Sequence, residues 1–282
     1  MSSKLNKNEI KRFSRQVILK NVGIIGQTKI IQSRVLIIGM GGLGCTVGEF
    51  LTRAGIGSLG IVDYDYVDLS NIHRQSIFTA SDVKKYKVDA VKQRIKKVNS
   101  HIKIKSFKKK IDDFNTKEII KSFDIIIDGT DNFSSKFLIN KFSKILKKVL
   151  ISGAIGKFDG HIFGFNFSKK TKPCLESFYQ GTPDDDLATC EEDGVIGTVA
   201  GIVGNIQANE AIKYILDVGK CLNGKVLIIN LLNLELPIYN DDNEIINQNV
   251  MIVNCSHGKG IKFIREELKF FAKTNIQKSK YS

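Results

Sequence analysis

Residues 34–44 read RVLIIGMGGLG, an aliphatic run that ends in a glycine-rich turn. The aliphatic part predicts a buried strand, and residues 45–54 return to the apolar spacing of a helix. Between them, Gly39, Gly41 and Gly44 match the pattern G-x-G-x-x-G, which lets a backbone approach phosphates at a helix N-terminus. This stretch predicts a nucleotide site but leaves the nucleotide open.

Predicted strands and helices alternate along the first half of the chain, after an N-terminal helix expected over residues 9–20. The strands are expected at residues 58–65, 101–110, 123–128 and 149–152, and the helices at residues 83–98 and 133–146. Near-continuous apolar strands that alternate with helices are typical of a parallel sheet covered on both faces. We therefore predict an α/β fold with a Rossmann-like, doubly wound, mostly parallel sheet.

The second half of the chain departs from this alternation. Residues 160–167 predict a strand with no crossover helix before it, so the sheet is expected to continue with antiparallel strands. Further strands are expected at residues 225–239 and 250–253, a helix at 198–217, and a long polar loop at 171–194. We predict one domain over residues 1–258, with a nucleotide-binding half of about 1–155 and a second half of about 156–258. A basic helical extension is expected over residues 259–282.

The formal charge of +14 raises the question of a polyanionic partner. Only seven of the 43 basic residues are Arg, and the Lys-rich remainder accompanies abundant Ile and Asn, which favours codon bias over a dedicated nucleic-acid surface. Nucleic acid is therefore not the expected partner. Five irregularly spaced Cys, a polar start and the lack of a bilayer-length apolar run predict a cytoplasmic protein outside the membrane.

Charged and amide side chains follow the glycine turn. Asp63, roughly 20 residues past the turn, can accept hydrogen bonds from ribose, as it would in a nicotinamide dehydrogenase. Cations at Arg74 and Lys87 suit ATP cleavage instead, because they neutralise charge that develops on phosphates. Asp131, in the motif GTDN after the fourth strand, can hold Mg²⁺. The amides Asn71 and Gln75 lie beside Arg74 and complete the predicted site.

Seven stretches of sequence resemble those of the adenylyltransferases related to the ubiquitin-activating enzyme, in particular the MoeB, ThiF and HesA group. The stretches are RFSRQVIL (12–19), RVLIIGMGGLG (34–44), IVDYDYVDLSNIHRQ (61–75), DGTDN (128–132), ISGAIG (151–156), TCEEDGVIG (189–197) and GIVGNIQANEAIK (201–213). They occur in order and at familiar spacing over residues 9–258.

The resemblance implies an ATP-dependent enzyme that adenylates the C-terminal Gly-Gly carboxylate of a small ubiquitin-like sulfur carrier. Such carriers serve thiamine, molybdopterin or related sulfur-transfer pathways, and the second half of the chain would bind the carrier. The resemblance assigns ATP and Mg²⁺ binding to Gly42, Asp63, Arg74, Lys87 and Asp131, and makes Asp131 essential. It also implies a homodimer in which Arg15 reaches the phosphates bound by the partner subunit.

Cysteine chemistry remains open at this stage. Cys190 occupies the position that some members of the group use for a thioester or acyl-persulfide, whereas many relatives do not need it. The group's two C-x-x-C zinc pairs are reduced here to Cys174 and Cys255, and two thiolates do not close a tetrahedral site. His257 and Glu176 could substitute for the missing thiolates, but loss of the zinc is the favoured expectation.

Two other functions remain as alternatives. The acceptor could be a tRNA base or a peptide C-terminus, or the chain could be a catalytically silent protein that binds nucleotide and a partner. Retention of Gly42, Arg74, Lys87 and Asp131 favours an active enzyme.

Overall fold

The computed structural model describes residues 5–169, 173–179, 194–233 and 250–254. These residues contain eight strands: β1 Arg34–Ile38, β2 Ser58–Val62, β3 Lys103–Phe107, β4 Ile125–Asp128, β5 Val149–Gly156, β6 Asp159–Asn166, β7 Lys225–Asn230 and β8 Val250–Asn254. All eight belong to one sheet in the order β3-β2-β1-β4-β5-β6-β7-β8.

The sheet has a parallel part and an antiparallel part. Strands β3, β2, β1, β4 and β5 pair in parallel, whereas β6, β7 and β8 each join the previous strand antiparallel. The predicted fold class is confirmed. Strand order reverses between β1 and β4, and in open sheets of this kind ligands bind at the carboxyl ends of the strands at such a switch point.

Helices connect and cover the strands. They are α1 Lys7–Arg12, α2 Ser14–Val17, α3 Gly23–Gln32, α4 Gly42–Ala54, α5 Lys87–Val98, α6 Thr116–Lys121, α7 Phe133–Ile145, α8 Leu175–Phe178 and α9 Gly197–Leu216. None of the helices in the described ranges combines the length and the hydrophobicity that a bilayer crossing requires.

Both faces of the sheet are buried, which explains the near-continuous apolar strands. Along β1, Val35 and Ile37 belong to the core on one face, and Leu36 and Ile38 to the core on the other. Helices α4, α5 and α9 contribute to the first core, and α6, α7 and α8 to the second. Residues two apart on a strand share a face, so this division follows from the strand period.

Small residues bring α4 and α9 close together beside the glycine turn. A Cβ at Gly204 of α9 would lie 2.7 Å from Cβ of Thr46, and one at Gly42 would lie 2.9 Å from Cβ of Ala200. The start of α4 is therefore fixed against α9, a helix of the second half of the chain.

One prediction about the N-terminal region was wrong, and one helix of this region was not predicted. The single helix expected over residues 9–20 is broken at Phe13, whose backbone leaves the helical region and whose ring is buried. A Cβ at Gly55 would lie 2.5 Å from Cζ of Phe13, so the ring packs under the end of α4. Helix α3 was not predicted, because its sequence GIIGQTKIIQ is poor in strong helix formers. Packing against α9 stabilises it.

Candidate functional site

The glycine turn follows β1 and begins α4 at the switch point. Gly39 has a φ of 89°, and a Cβ there would lie 2.8 Å from the Gly129 carbonyl oxygen. A Cβ at Gly44 would overlap the Gly39 carbonyl oxygen. Gly41 is the N-cap of α4 and Gly42 its first residue, so backbone N–H groups at this end can face an anion. Gly39 and Gly44 are therefore two positions of the turn that only glycine fits.

Asp63 supports the turn from the end of β2. Its carboxylate accepts a hydrogen bond from the Met40 backbone N–H at 2.7 Å and another from that of Asp65 at 2.8 Å. Burial raises the pKa of Asp63 above its usual value, while the Lys87 ammonium opposes this shift. The expected ribose acceptor therefore also fixes the turn, a role that the sequence pattern did not indicate.

Lys87 is the first residue of α5 and forms an ion pair with Asp65 at the carboxyl ends of the parallel strands. Its Nζ donates to Oδ2 of Asp65 at 3.0 Å, and its side chain is nearly buried, whereas that of Asp65 is half exposed. The Lys87 backbone N–H also donates to the Asp65 carbonyl. Asp65 therefore holds the lysine in place. From the sequence, Asp65 could bind nucleotide or terminate the strand, and the strand end was favoured.

The segment from Asp68 to Gln75 lies against the start of both α4 and α9. Nη1 of Arg74 donates to the Ser70 carbonyl oxygen at 3.0 Å, which holds the half-exposed guanidinium at the edge. Asn71 and Gln75 are buried, and the Gln75 side chain lies beside Gly41. The structure thus brings the predicted amides and cation together with the glycine turn.

Asp131 lies in the turn after β4, and its side chain is exposed. The pKa of Tyr64 is raised by partial burial and then by the negative charges of Asp65, Asp131 and Asp63. The turn that carries Asp131 adjoins the glycine turn, because a Cβ at Gly39 would lie 3.0 Å from the Thr130 backbone nitrogen. An exposed carboxylate at this edge is a hard oxygen donor, which fits Mg²⁺ together with the phosphates of a nucleotide.

A buried polar cluster lies directly beneath the Asp131 turn, and the sequence did not reveal it. Asp128 is fully buried and pairs with the buried Lys136 of α7, with 3.2 Å between Nζ and Oδ2. Ser152 Oγ also donates to Oδ2 of Asp128, at 2.5 Å. Gln207 of α9 donates to the Asp128 backbone carbonyl. An Asp and a Lys eight residues apart across a strand-to-helix turn are a signal that could have indicated this pair.

Arg15 lies near the C-terminal end of α4, whereas the glycine turn lies at the N-terminal end of this helix. The neighbouring Gln16 side chain approaches the Ala54 carbonyl at the end of α4, and Arg12 donates to the Val98 carbonyl at the end of α5. Because α4 runs for about 18 Å from Gly42 to Ala54, the exposed Arg15 cannot reach the glycine turn of the same chain.

The cysteine predictions fall partly outside the described residues, where both Cys190 and Cys255 lie. Their roles therefore remain predictions. Sγ of the buried Cys174 contacts Oε2 of Glu176 at 3.2 Å and Nζ of Lys144 at 3.6 Å. Within the part of the chain that the structure describes, no three His, Cys, Asp or Glu side chains cluster as a metal site requires.

A family model described as the ThiF family matches residues 13–245, a range that includes the glycine turn, Arg74, Lys87 and Asp131. The chain belongs to the ThiF family. The predicted family is thereby confirmed.

Named relatives agree with membership of the ThiF family. The chain is 39% identical over 229 residues to the adenylyltransferase and sulfurtransferase MOCS3 of Aedes aegypti, covering 81% of this chain and 52% of that protein. It is 39% identical over 232 residues to a probable molybdopterin-synthase adenylyltransferase of Gracilaria tenuistipitata var. liui, covering 82% of this chain and 65% of that protein. The chain thus spans between half and two thirds of the length of these relatives.

Solved structures share the fold of this ThiF-family chain. MccB of E. coli, crystallised with AMPCPP and MccA, has a TM-score of 0.71 at 20% identity, covering 90% of this chain and 74% of that one. PaaA has a TM-score of 0.70 at 24% identity, covering 83% of this chain and 74% of that one. At these identities the likeness concerns the fold alone.

Proposed function

We propose that this chain uses ATP to adenylate the C-terminal carboxylate of a small ubiquitin-like sulfur carrier that ends in Gly-Gly. One observation carries the proposal: the glycine turn, the Lys87–Asp65 pair, Arg74 and Asp131 meet at the carboxyl edge where β1 and β4 part. This edge offers N–H donors for phosphates, as any nucleotide site does. It also offers cations and a carboxylate for Mg²⁺, which nucleotidyl transfer needs and hydride transfer does not.

In the proposed step, a carboxylate oxygen of the carrier attacks the α-phosphorus of ATP. The bond from the α-phosphorus to the bridging oxygen breaks, pyrophosphate leaves with that electron pair, and an acyl-adenylate remains. Arg74 and Lys87 would stabilise the charge that develops on the phosphates, and the N-terminus of α4 would orient them. Mg²⁺, when bound at Asp131, would neutralise phosphate charge. Because the acceptor is already a carboxylate, the step needs no general base.

The names of the relatives support the choice of acceptor. Both relatives in the comparison are named adenylyltransferases, one also as a sulfurtransferase and one for molybdopterin synthase. We infer a carrier of molybdopterin synthesis or of a related sulfur-transfer pathway.

The test is ATP–pyrophosphate exchange with purified carrier candidates. We expect exchange with a Gly-Gly-ended carrier and none with the same carrier lacking its last two residues. Exchange with tRNA or a short peptide in place of the carrier would move the assignment to those acceptors. Tight ATP binding without exchange on any acceptor would contradict an enzymatic role.

We also propose that the protein works as a homodimer in which Arg15 acts on the partner's nucleotide. The distance between Arg15 and its own glycine turn supports a role across a subunit boundary. Four aliphatic side chains between residues 18 and 25 are exposed by 52–76%, and exposed apolar surface of this kind marks an interaction site. They are Ile18, Leu19, Ile24 and Ile25.

Complementation between two inactive variants tests the shared site. Arg15→Ala and Asp131→Asn should each lack exchange activity as homodimers. When the two chains are co-expressed in equal amounts, half of the dimers are mixed and each has one intact site. We therefore expect recovery of about one quarter of the wild-type activity. If Arg15 served its own subunit, no mixed dimer would contain an intact site and activity would not return.

A further inference from the structure

The buried cluster beneath the Asp131 turn points to a residue that acts without touching the nucleotide. We propose that Lys136 is a positioning residue for adenylation, which holds the turn of Asp131 through the carboxylate of Asp128. This inference rests on the proposed function and deepens it. Lys136 is only 6% exposed, so its ammonium faces the protein interior and not a ligand.

The Asp128 carboxylate is fully occupied by four donors. Oδ2 accepts hydrogen bonds from Nζ of Lys136 and Oγ of Ser152, at 3.2 and 2.5 Å. Oδ1 accepts hydrogen bonds from the backbone N–H and the hydroxyl of Thr130, at 2.9 and 2.6 Å. Four donors use the acceptor capacity of a carboxylate. Thr130, directly before Asp131, is thus tied to Asp128 by both of its donor groups.

Lys136 joins this turn to the next strand. Its Nζ donates to the Gly153 carbonyl of β5 at 2.6 Å as well as to Asp128. One ammonium therefore links the end of β4, the first turns of α7 and the middle of β5. The same region is tied to α9, because Nε2 of Gln207 donates to the Asp128 carbonyl at 3.0 Å.

The location of the pair argues for a role beyond stability. Buried ion pairs are costly to desolvate, and apolar side chains of similar volume often replace them without loss of stability. Unlike an apolar pair, a hydrogen-bonded ion pair fixes the orientation of the donor groups that bind to it. Here those donors include Thr130, whose neighbour Asp131 carries the carboxylate assigned to Mg²⁺. Lys136 would thus fix the orientation in which Asp131 meets the phosphates.

Steady-state exchange kinetics of Lys136→Met, Lys136→Arg and Lys141→Met test this inference. For Lys136→Met we expect kcat to fall at least about tenfold, as for other groups that orient a catalytic side chain. KM for ATP should change far less, because Arg74, Lys87 and the glycine turn keep their contacts. Lys136→Arg keeps a cation in reach of Asp128 and should restore most of kcat. Lys141→Met removes an exposed cation of the same helix, paired with Asp113, and should have no effect.

Amide hydrogen exchange gives a readout that does not depend on catalysis. In Lys136→Met the Thr130 amide, bound to Asp128, should exchange faster than in the wild type. The Gly129 amide, bound to the Ile38 carbonyl, should not. A wild-type protein without carrier-dependent pyrophosphate exchange would refute the proposed function, and this amide pair would still decide whether Lys136 holds the turn.

The inference is overturned if Lys136→Met keeps the wild-type kcat, or if its Thr130 amide exchanges as in the wild type. It is also overturned if Lys136→Arg is as impaired as Lys136→Met. If Lys136→Met does not fold, the neutral double variant Asp128→Asn/Lys136→Met replaces it, since no unpaired charge is then buried. A folded double variant with at least about tenfold lower kcat supports the positioning role, and one with wild-type kcat refutes it.

Discussion

Replacement of Asp131 by Asn is expected to lower carrier-dependent ATP–pyrophosphate exchange by about 10²–10³-fold, the usual effect of removing a group that stabilises the transition state. The substitution keeps the shape of the side chain and the oxygen that accepts a hydrogen bond from Asn132. It removes the negative charge with which Asp131 would bind Mg²⁺. Because Asp131 is exposed, the free energy of unfolding should stay within about 0.5 kcal/mol of the wild type. Initial rates of exchange and urea unfolding measure the two effects.

Asp113→Asn is the matched control for this prediction. Asp113 is an exposed acid with a surface ion pair to Lys141, and it lies outside the candidate site. The rate of ATP–pyrophosphate exchange by Asp113→Asn should equal that of the wild type. Unchanged exchange in Asp131→Asn, with the variant folded, would contradict the assignment of the magnesium site.

Replacement of Gly44 by Ala is expected to damage both the fold and the nucleotide site. A Cβ at this position overlaps the Gly39 carbonyl oxygen, a backbone atom that can move only if the whole turn moves. We expect the free energy of unfolding to fall by about 3 kcal/mol or more, since overpacking against the backbone cannot relax locally. ATP binding, measured by calorimetry, should be lost because the N-terminus of α4 no longer faces the phosphates.

Gly48→Ala, one turn further along α4, controls for the loss of a helical glycine. A Cβ there meets Cε of Met40 at 3.6 Å, which is ordinary van der Waals contact. This variant should bind ATP normally and gain up to about 1 kcal/mol from helix propensity. Equal stability and ATP affinity in the two variants would contradict the account of the turn.

Much of the fold could be predicted from local patterns. The aliphatic runs of β1 and β4 are buried on both faces, so their sequences alone indicate central strands of a parallel sheet. The change to antiparallel pairing was predictable because no crossover helix precedes β6. The break at Phe13 was not predictable, since it depends on a contact with Gly55 that only the folded chain creates.

The candidate site likewise has a part that the sequence predicted and a part that it did not. The glycine turn, Arg74, Lys87 and Asp131 belong to contiguous motifs, and the structure brings the turn and the residues after β2 and β4 to one edge. The contacts that support Lys87 and the glycine turn were missed because they join residues far apart in the chain. Lys87 and Asp65 are separated by 22 positions. Asp63 and Met40 are separated by 23 positions.

Transfer of ¹⁸O from carrier to AMP tests the central claim most directly. A carrier whose C-terminal carboxylate is labelled with ¹⁸O is incubated with ATP, Mg²⁺, the enzyme and an amine that releases the acyl group. If the carboxylate attacks the α-phosphorus, the released AMP carries one ¹⁸O atom and the pyrophosphate carries none. Label in the pyrophosphate, or AMP formed without label, would contradict adenylation of the carrier carboxylate.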